Sequence, residues 1–200
     1  MAFRTELEAR VRQSVGILVQ KTLVHTPLTP AALTLTGTAL ICGVAGLTAR
    51  GAFFHAGLLL VVAGTFDMLD GALARARQQS SPFGAFLDSS LDRYSDALLL
   101  LGFLLYYQRT APQSVEVILT FAAAIGAFAT SYLRARAESL GFECKVGLLE
   151  RPERIALIAA GLLTGFVGPL LWALALLTHT TALQRFVHVW RHARAARHAL

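Results

Sequence analysis

Residues 22–49 and 155–184 carry no charge of either sign, while all five aspartates crowd between Asp67 and Asp96. Charge-free runs of that length match the ~20 apolar residues needed to cross a ~30 Å hydrocarbon core. The chain therefore reads first as a membrane protein. Composition agrees: 55% hydrophobic against 15% charged residues over a 200-residue chain, with mean hydropathy +0.57, lies outside the balance of soluble domains. A net charge of +6 and a pI near 10.0 do not point to nucleic acid. There is no basic stripe and no aromatic–basic interleaving of the kind that binds single strands. The expected partner of the basic excess is membrane lipid. Cys42 and Cys144 show no CxxC spacing, so neither a disulfide scaffold nor a zinc site is expected. Glu6, Glu8 and Arg10 precede any long apolar run, unlike a cleaved signal peptide.

Six segments are predicted to span, at 29–49, 53–78, 83–107, 113–137, 152–167 and 169–190, the last two joined by a tight hairpin at Gly168-Pro169. Ahead of them, Phe3, Leu7, Val11, Val15 and Leu18 recur at helical spacing while Arg4, Glu8, Arg12 and Lys21 fall elsewhere. That pattern predicts an amphipathic helix over 3–24 lying in the interface, the bland reading being a short soluble helix packed on the bundle. With the N-terminus inside and six crossings, sixteen of the eighteen lysines and arginines fall at cytoplasmic ends, leaving only Arg50 and Arg109 outside. Both termini and the aspartates are thus expected on the cytoplasmic side of a prokaryotic plasma membrane. The expected fold is all-α: one membrane domain over 1–200, with a six-helix bundle at 29–190 and a basic tail at 191–200.

Ionised carboxylates within membrane helices are costly without a cation, a partner or water, so the acids are a site hypothesis by default. Asp67 and Asp70 are i,i+3, and Asp88, Asp92 and Asp96 are successive i,i+4 neighbours, giving each of two helices one acidic face. Like charges so spaced repel, and a hard divalent cation compensates them. Mg²⁺ or Mn²⁺ suits an all-oxygen set better than zinc, because no His or Cys joins it. The competing reading is an ion-pair network with Arg75, Arg77 and Arg93. Gly71, Ala72, Ala74, Ala76, Gly84 and Ala85 keep these helices narrow, for a neighbouring helix or for a ligand.

Asp67-Met68-Leu69-Asp70-Gly71-Ala72-Leu73-Ala74-Arg75, eight residues, Gly84, three residues, Asp88, three residues and Asp92 together resemble the D-x2-D-G-x2-A-R-x8-G-x3-D-x3-D signature of the CDP-alcohol phosphatidyltransferase family, matching every specified position. The resemblance covers nearly the whole chain. It implies a six-helix membrane enzyme, commonly homodimeric, that displaces CMP from a CDP-linked lipid by an alcohol hydroxyl. It further implies that Asp67, Asp70 and Asp88 hold Mg²⁺ or Mn²⁺. Asp92 either completes a metal shell or takes the proton from the attacking hydroxyl; as the last acid of the pattern it is favoured as base. Gly71, Ala74, Arg75 and Gly84, with Asp67, Asp70 and Asp88, would line the CDP site. Asp96 falls outside the pattern, either supporting the site or facing polar bundle interior.

The acceptor is read from the inner helix ends: Ser131-Tyr132-Leu133-Arg134, Glu150-Arg151-Pro152-Glu153-Arg154 and Gln184-Arg185. Guanidinium groups converging on one cavity suit phosphate oxygens, as a phosphorylated alcohol requires and serine or free inositol does not. These stretches resemble the phosphatidylinositol-phosphate synthase branch, which joins CDP-diacylglycerol to inositol 1-phosphate, and its archaeal ether-lipid relatives. The resemblance makes Ser131, Arg134, Arg154 and Arg185 acceptor-phosphate binders. For any single arginine the bland alternative is an anchor snorkelling to headgroups, and Arg191, Arg194 and Arg197 read that way. Arg136, Glu138, Arg151 and Glu153 are expected to tie the inner helix ends together. Thr29-Pro30-Ala31 departs from the family's frequent Thr-Pro-Asn, which bears on nucleotide detail. The rivals are a phosphatidylglycerophosphate synthase using glycerol 3-phosphate and, outside the family, a cation carrier or assembly protein. No internal repeat supports a carrier.

Overall fold

Helix boundaries in this chain are written in its capping residues. Thr29 accepts the Ala32 amide through Oγ1 at 3.1 Å, and Pro30 follows where a missing N–H costs nothing. Ser81 and Pro82 repeat the device, Ser81 Oγ accepting the Gly84 amide at 3.0 Å. The computed structural model describes Val19, Val24 and residues 26–78 and 81–198, with side chains to residue 195. Apart from Val19 and Val24, the expected interfacial helix over 3–24 lies outside the described residues.

Six helices follow in chain order: α1 (Pro30–Ala49), α2 (Phe53–Ala76), α3 (Pro82–Thr110), α4 (Val115–Ser139), α5 (Arg151–Thr164) and α6 (Val167–His198). They occupy the six apolar segments to within a few residues, with two corrections. The α5–α6 break is not at Gly168-Pro169: α5 ends on Gly165, whose φ of +75° is the left-handed conformation glycine adopts freely, and α6 begins at Val167. Pro169 then sits in the first turn of α6, where no intrahelical donor is lost. The last helix also runs on to His198, so the basic segment beyond 190 continues α6.

α1 packs against α2 and α3, α4 against α3 and α6, and α5 against α2 and α6; among the described residues α3 and α5 make no backbone-level packing. Leu60, Leu99, Phe103, Ile158, Leu162, Leu171 and Leu174 form the shared core. The α1–α3 crossing is close: a Cβ on Gly102 would stand 2.8 Å from the Ala45 carbonyl oxygen. Large apolar side chains also face outward, among them Ile118, Phe121, Phe128 and Leu176, as on a bundle solvated by lipid. By length and apolarity α1, α2 and α4 are able to cross a membrane, so the chain is an all-α polytopic membrane protein. That is fewer than the six expected spans. α3 carries Asp88, Asp92 and Asp96, α5 has 14 residues, and Thr178, His179, Thr180 and Thr181 make α6 more polar.

Candidate active site

α2 and α3 follow one another in the chain, and the C-terminal part of α2 and the N-terminal part of α3 present their acids to one another. Single carboxylate oxygens of Asp67, Asp70 and Asp88 all lie within 4.8 Å of one another. That spacing is on the order of twice the ~2.1 Å Mg–O bond. Three hard oxygen donors from two helices, without sulfur or imidazole, fit a hard divalent cation. Asp70 is the buried member at 5% exposure, whereas Asp67 is open. The tip of α2 is pinned from outside: Arg77 donates to the carbonyls of Val24 (Nη2, 2.9 Å), Thr26 (Nη2, 2.6 Å) and Leu28 (Nη1, 2.6 Å).

The glycines of the pattern are open rather than packed. Among the described residues, a Cβ at Gly71 would meet only the Arg75 guanidinium, with Nη1 at 3.3 Å, and one at Gly84 only Ser81 Oγ at 3.1 Å. Neither meets another helix, which favours ligand clearance over helix packing. Arg75 is exposed and Ala74 half-buried on the same stretch of α2.

Asp92 is linked to the triad through Arg151. Its Oδ1 accepts Arg151 Nη2 at 2.9 Å, and Arg151 Nη1 reaches Asp67 Oδ2 at 2.6 Å. Its Oδ2 lies 3.5 Å from Arg93 Nη2. Arg151 does tie helix ends together as expected, but it does so by gripping two acids of the pattern. One turn further along α5, Arg154 Nη2 meets Asp96 Oδ2 at 2.5 Å, with the two residues 2% and 6% exposed. The first turn of α5 thus reaches α3 through a two-rung ladder, Arg151–Asp92 and Arg154–Asp96. The i,i+3 spacing of the arginines and the i,i+4 spacing of the aspartates were visible in sequence; their pairing across 58 positions for the second rung was not.

The four expected acceptor-phosphate residues gather around the C-terminal end of α4. Arg154 Nη1 lies 3.5 Å from Thr130 Oγ1, Arg185 Nη1 donates to the Thr130 carbonyl at 2.7 Å, and Ser131 is the next residue. Arg134 pairs with Glu138 at 2.9 Å and Glu150 at 3.4 Å, and Glu150 also faces Arg185 at 3.9 Å. Their openness differs. Arg185 is 3% exposed and, like Arg154, is held by protein groups, while the Arg134 side chain is 38% exposed. α6 sets the approach to α5: Thr181 Oγ1 accepts the Leu149 amide at 3.0 Å, Gln184 Oε1 that of Leu148 at 3.1 Å, and Arg185 Nε donates to the Val146 carbonyl at 2.8 Å.

The CDP-alcohol phosphatidyltransferase family model matches residues 27–190. The chain is 40% identical over 165 residues to the archaetidylinositol phosphate synthase of Methanothermobacter thermautotrophicus, covering 80% of this chain and 82% of that one. It is 37% identical over 178 residues to the phosphatidylinositol phosphate synthase of Corynebacterium glutamicum, covering 84% and 81%. Its fold superposes on the crystal structure of Mycobacterium tuberculosis phosphatidylinositol phosphate synthase with CDP-DAG bound at a TM-score of 0.81, with 31% identity and coverage of 88% and 93%. The same enzyme in complex with manganese and citrate gives a TM-score of 0.78 at 30% identity, covering 88% of each chain. With its eight signature residues on the consecutive helices α2 and α3, the chain belongs to the CDP-alcohol phosphatidyltransferase family.

Proposed function

We propose that this enzyme transfers the phosphatidyl group of CDP-diacylglycerol, or of a CDP-linked ether lipid, to inositol 1-phosphate, releasing CMP. The observation that carries this reading is the gathering of Asp67, Asp70 and Asp88 within 4.8 Å beside open glycines. The names of its relatives support the acceptor. Asp67, Asp70 and Asp88 would hold Mg²⁺ or Mn²⁺, which when bound supplies Lewis-acid stabilisation of charge on the phosphoryl oxygens. Gly71, Ala74, Arg75 and Gly84 leave room for the CDP moiety and offer it one guanidinium.

The acceptor hydroxyl attacks the lipid-proximal phosphorus, its new P–O bond forming as the bond to CMP breaks. Its proton passes to Asp92, a reading supported by the place of Asp92 beside Asp67 on the shared Arg151 guanidinium. Ser131, Arg134, Arg154 and Arg185 would receive the acceptor phosphate, Arg134 by exchanging its carboxylate partners for phosphate oxygens. The enzyme crosses the membrane six times with both termini and the site cytoplasmic, supported by the basic residues at those helix ends, and pairs as a homodimer, supported by the family resemblance.

A panel of acceptors with CDP-diacylglycerol tests the assignment. CMP release should be fastest with inositol 1-phosphate and marginal with free inositol and serine. Preference for glycerol 3-phosphate would move the enzyme to the phosphatidylglycerophosphate branch.

A further inference from the structure

Asp70 has a partner that lies outside the sequence pattern. Thr34, on the second turn of α1, places Oγ1 2.6 Å from Asp70 Oδ2 and 3.0 Å from the Pro30 carbonyl. A hydroxyl has one proton to give. Helical threonines commonly spend it on the i−4 carbonyl, as Thr36 and Thr38 do on the same helix, toward Ala32 and Thr34. At Thr34 the shorter contact is to the carboxylate, and a donor to an ionised acceptor makes the stronger bond. The proton therefore points at Asp70.

The surroundings hold this arrangement from several sides. Leu33 and Gly37 are buried, and a Cβ on Gly37 would stand 3.4 Å from Phe66 Cβ, so α1 is pressed against α2 one turn from the contact. Thr29 and Pro30 fix the start of α1, and Arg77 ties the segment before it to the end of α2. The other oxygen, Oδ1, faces the Gly71 amide at 2.5 Å. A free carboxylate rotates broadly about its terminal torsion; here both oxygens are engaged, and Asp70 is the buried acid of the triad.

We propose that Thr34 is a positioning residue, fixing the rotation of the Asp70 carboxylate so that its remaining lone pairs meet those of Asp67 and Asp88 at one divalent cation. This rests on the reading of the triad as a metal site. Groups that orient ligands in this way typically contribute 10–100-fold in metal affinity.

The test is Mn²⁺ binding to the purified detergent-solubilised enzyme, followed by the electron paramagnetic resonance signal of free Mn²⁺. Thr34→Val keeps the branched shape and removes the proton; about 10–100-fold weaker Mn²⁺ binding is expected. Thr34→Ala should lose similarly, so the test stands if one variant fails to fold, and Thr34→Ser should return affinity to near the wild-type value. CMP release should show the same rise in half-saturating Mn²⁺ with an unchanged acceptor KM. Wild-type affinity in Thr34→Val or Thr34→Ala would overturn the proposal while leaving the metal site intact. Absence of Mn²⁺ binding in the wild type would overturn both.

Discussion

Removing Asp96 should unfold this enzyme at markedly lower temperature without touching its metal triad. Asp96 and Arg154 are 6% and 2% exposed and meet at 2.5 Å, joining α3 to α5, helices without backbone-level packing among the described residues. Asp96→Leu leaves a buried guanidinium with its main partner gone, a loss of about 3–5 kcal/mol for broken buried pairs. Against a typical ~5–15 kcal/mol of stability that is a large fraction. At ~2–4 °C per kcal/mol for a chain of this size, Tm should fall by roughly 6–20 °C. Asp96→Asn, which keeps shape and an acceptor, should lose less, about 1.5–3 kcal/mol for a charge-assisted hydrogen bond. The fold supplies its own reporter, because Cys144 is fully buried and Cys42 exposed. In a Cys42→Ser background, labelling of Cys144 by a thiol-reactive fluorophore follows unfolding directly. The double variant Asp96→Leu/Arg154→Met should recover most of the loss, since an apolar pair of similar volume replaces the ionic one at little net cost. Wild-type Tm in Asp96→Leu, or a double variant less stable than the single, would refute the reasoning.

Other perturbations separate chemistry, acceptor binding and packing. Asp92→Asn should lower single-turnover CMP formation by about 10²–10⁴-fold while CDP-lipid binding changes little, as for a lost general base; retained turnover would remove Asp92 from that role. Arg134→Ala should raise the acceptor KM with kcat nearly unchanged, the signature of lost uniform binding; steady-state kinetics with varied inositol 1-phosphate decides it. Gly102→Val introduces a Cβ 2.8 Å from the Ala45 carbonyl oxygen and 3.0 Å from its Cα. Overpacking there should lower stability by about 1–3 kcal/mol in the same thiol-labelling assay, and an unchanged Tm would show that the α1–α3 crossing has slack.

The helices were legible in sequence because membrane spans have few ways to end. Thr29-Pro30 and Ser81-Pro82 announce helix starts, and charged residues bound the apolar runs. The α5–α6 turn was displaced because Gly168-Pro169 carries turn chemistry, whereas the chain turns at Gly165, the glycine that takes positive φ. The triad was legible because i,i+3 and i,i+4 spacing on adjoining helices is local information. What joins distant helices was not. Arg151 was expected to tie helix ends, yet it grips Asp67 across 84 positions, and Thr34 reaches Asp70 across 36. Arg154 and Arg185 were expected as phosphate binders from neighbouring residues alone, and their burial against Asp96 and backbone carbonyls depends on packing that only the fold supplies.

Transfer by this enzyme depends on a divalent metal, for which the Asp67–Asp70–Asp88 triad supplies the oxygen donors. Its most direct measurement is CMP release from CDP-diacylglycerol and inositol 1-phosphate by enzyme stripped with chelator, before and after Mg²⁺ or Mn²⁺ is returned. Stripping should abolish activity, and returning the metal should restore it in the wild type but not in Asp88→Asn. Undiminished CMP release after complete metal removal would contradict that dependence.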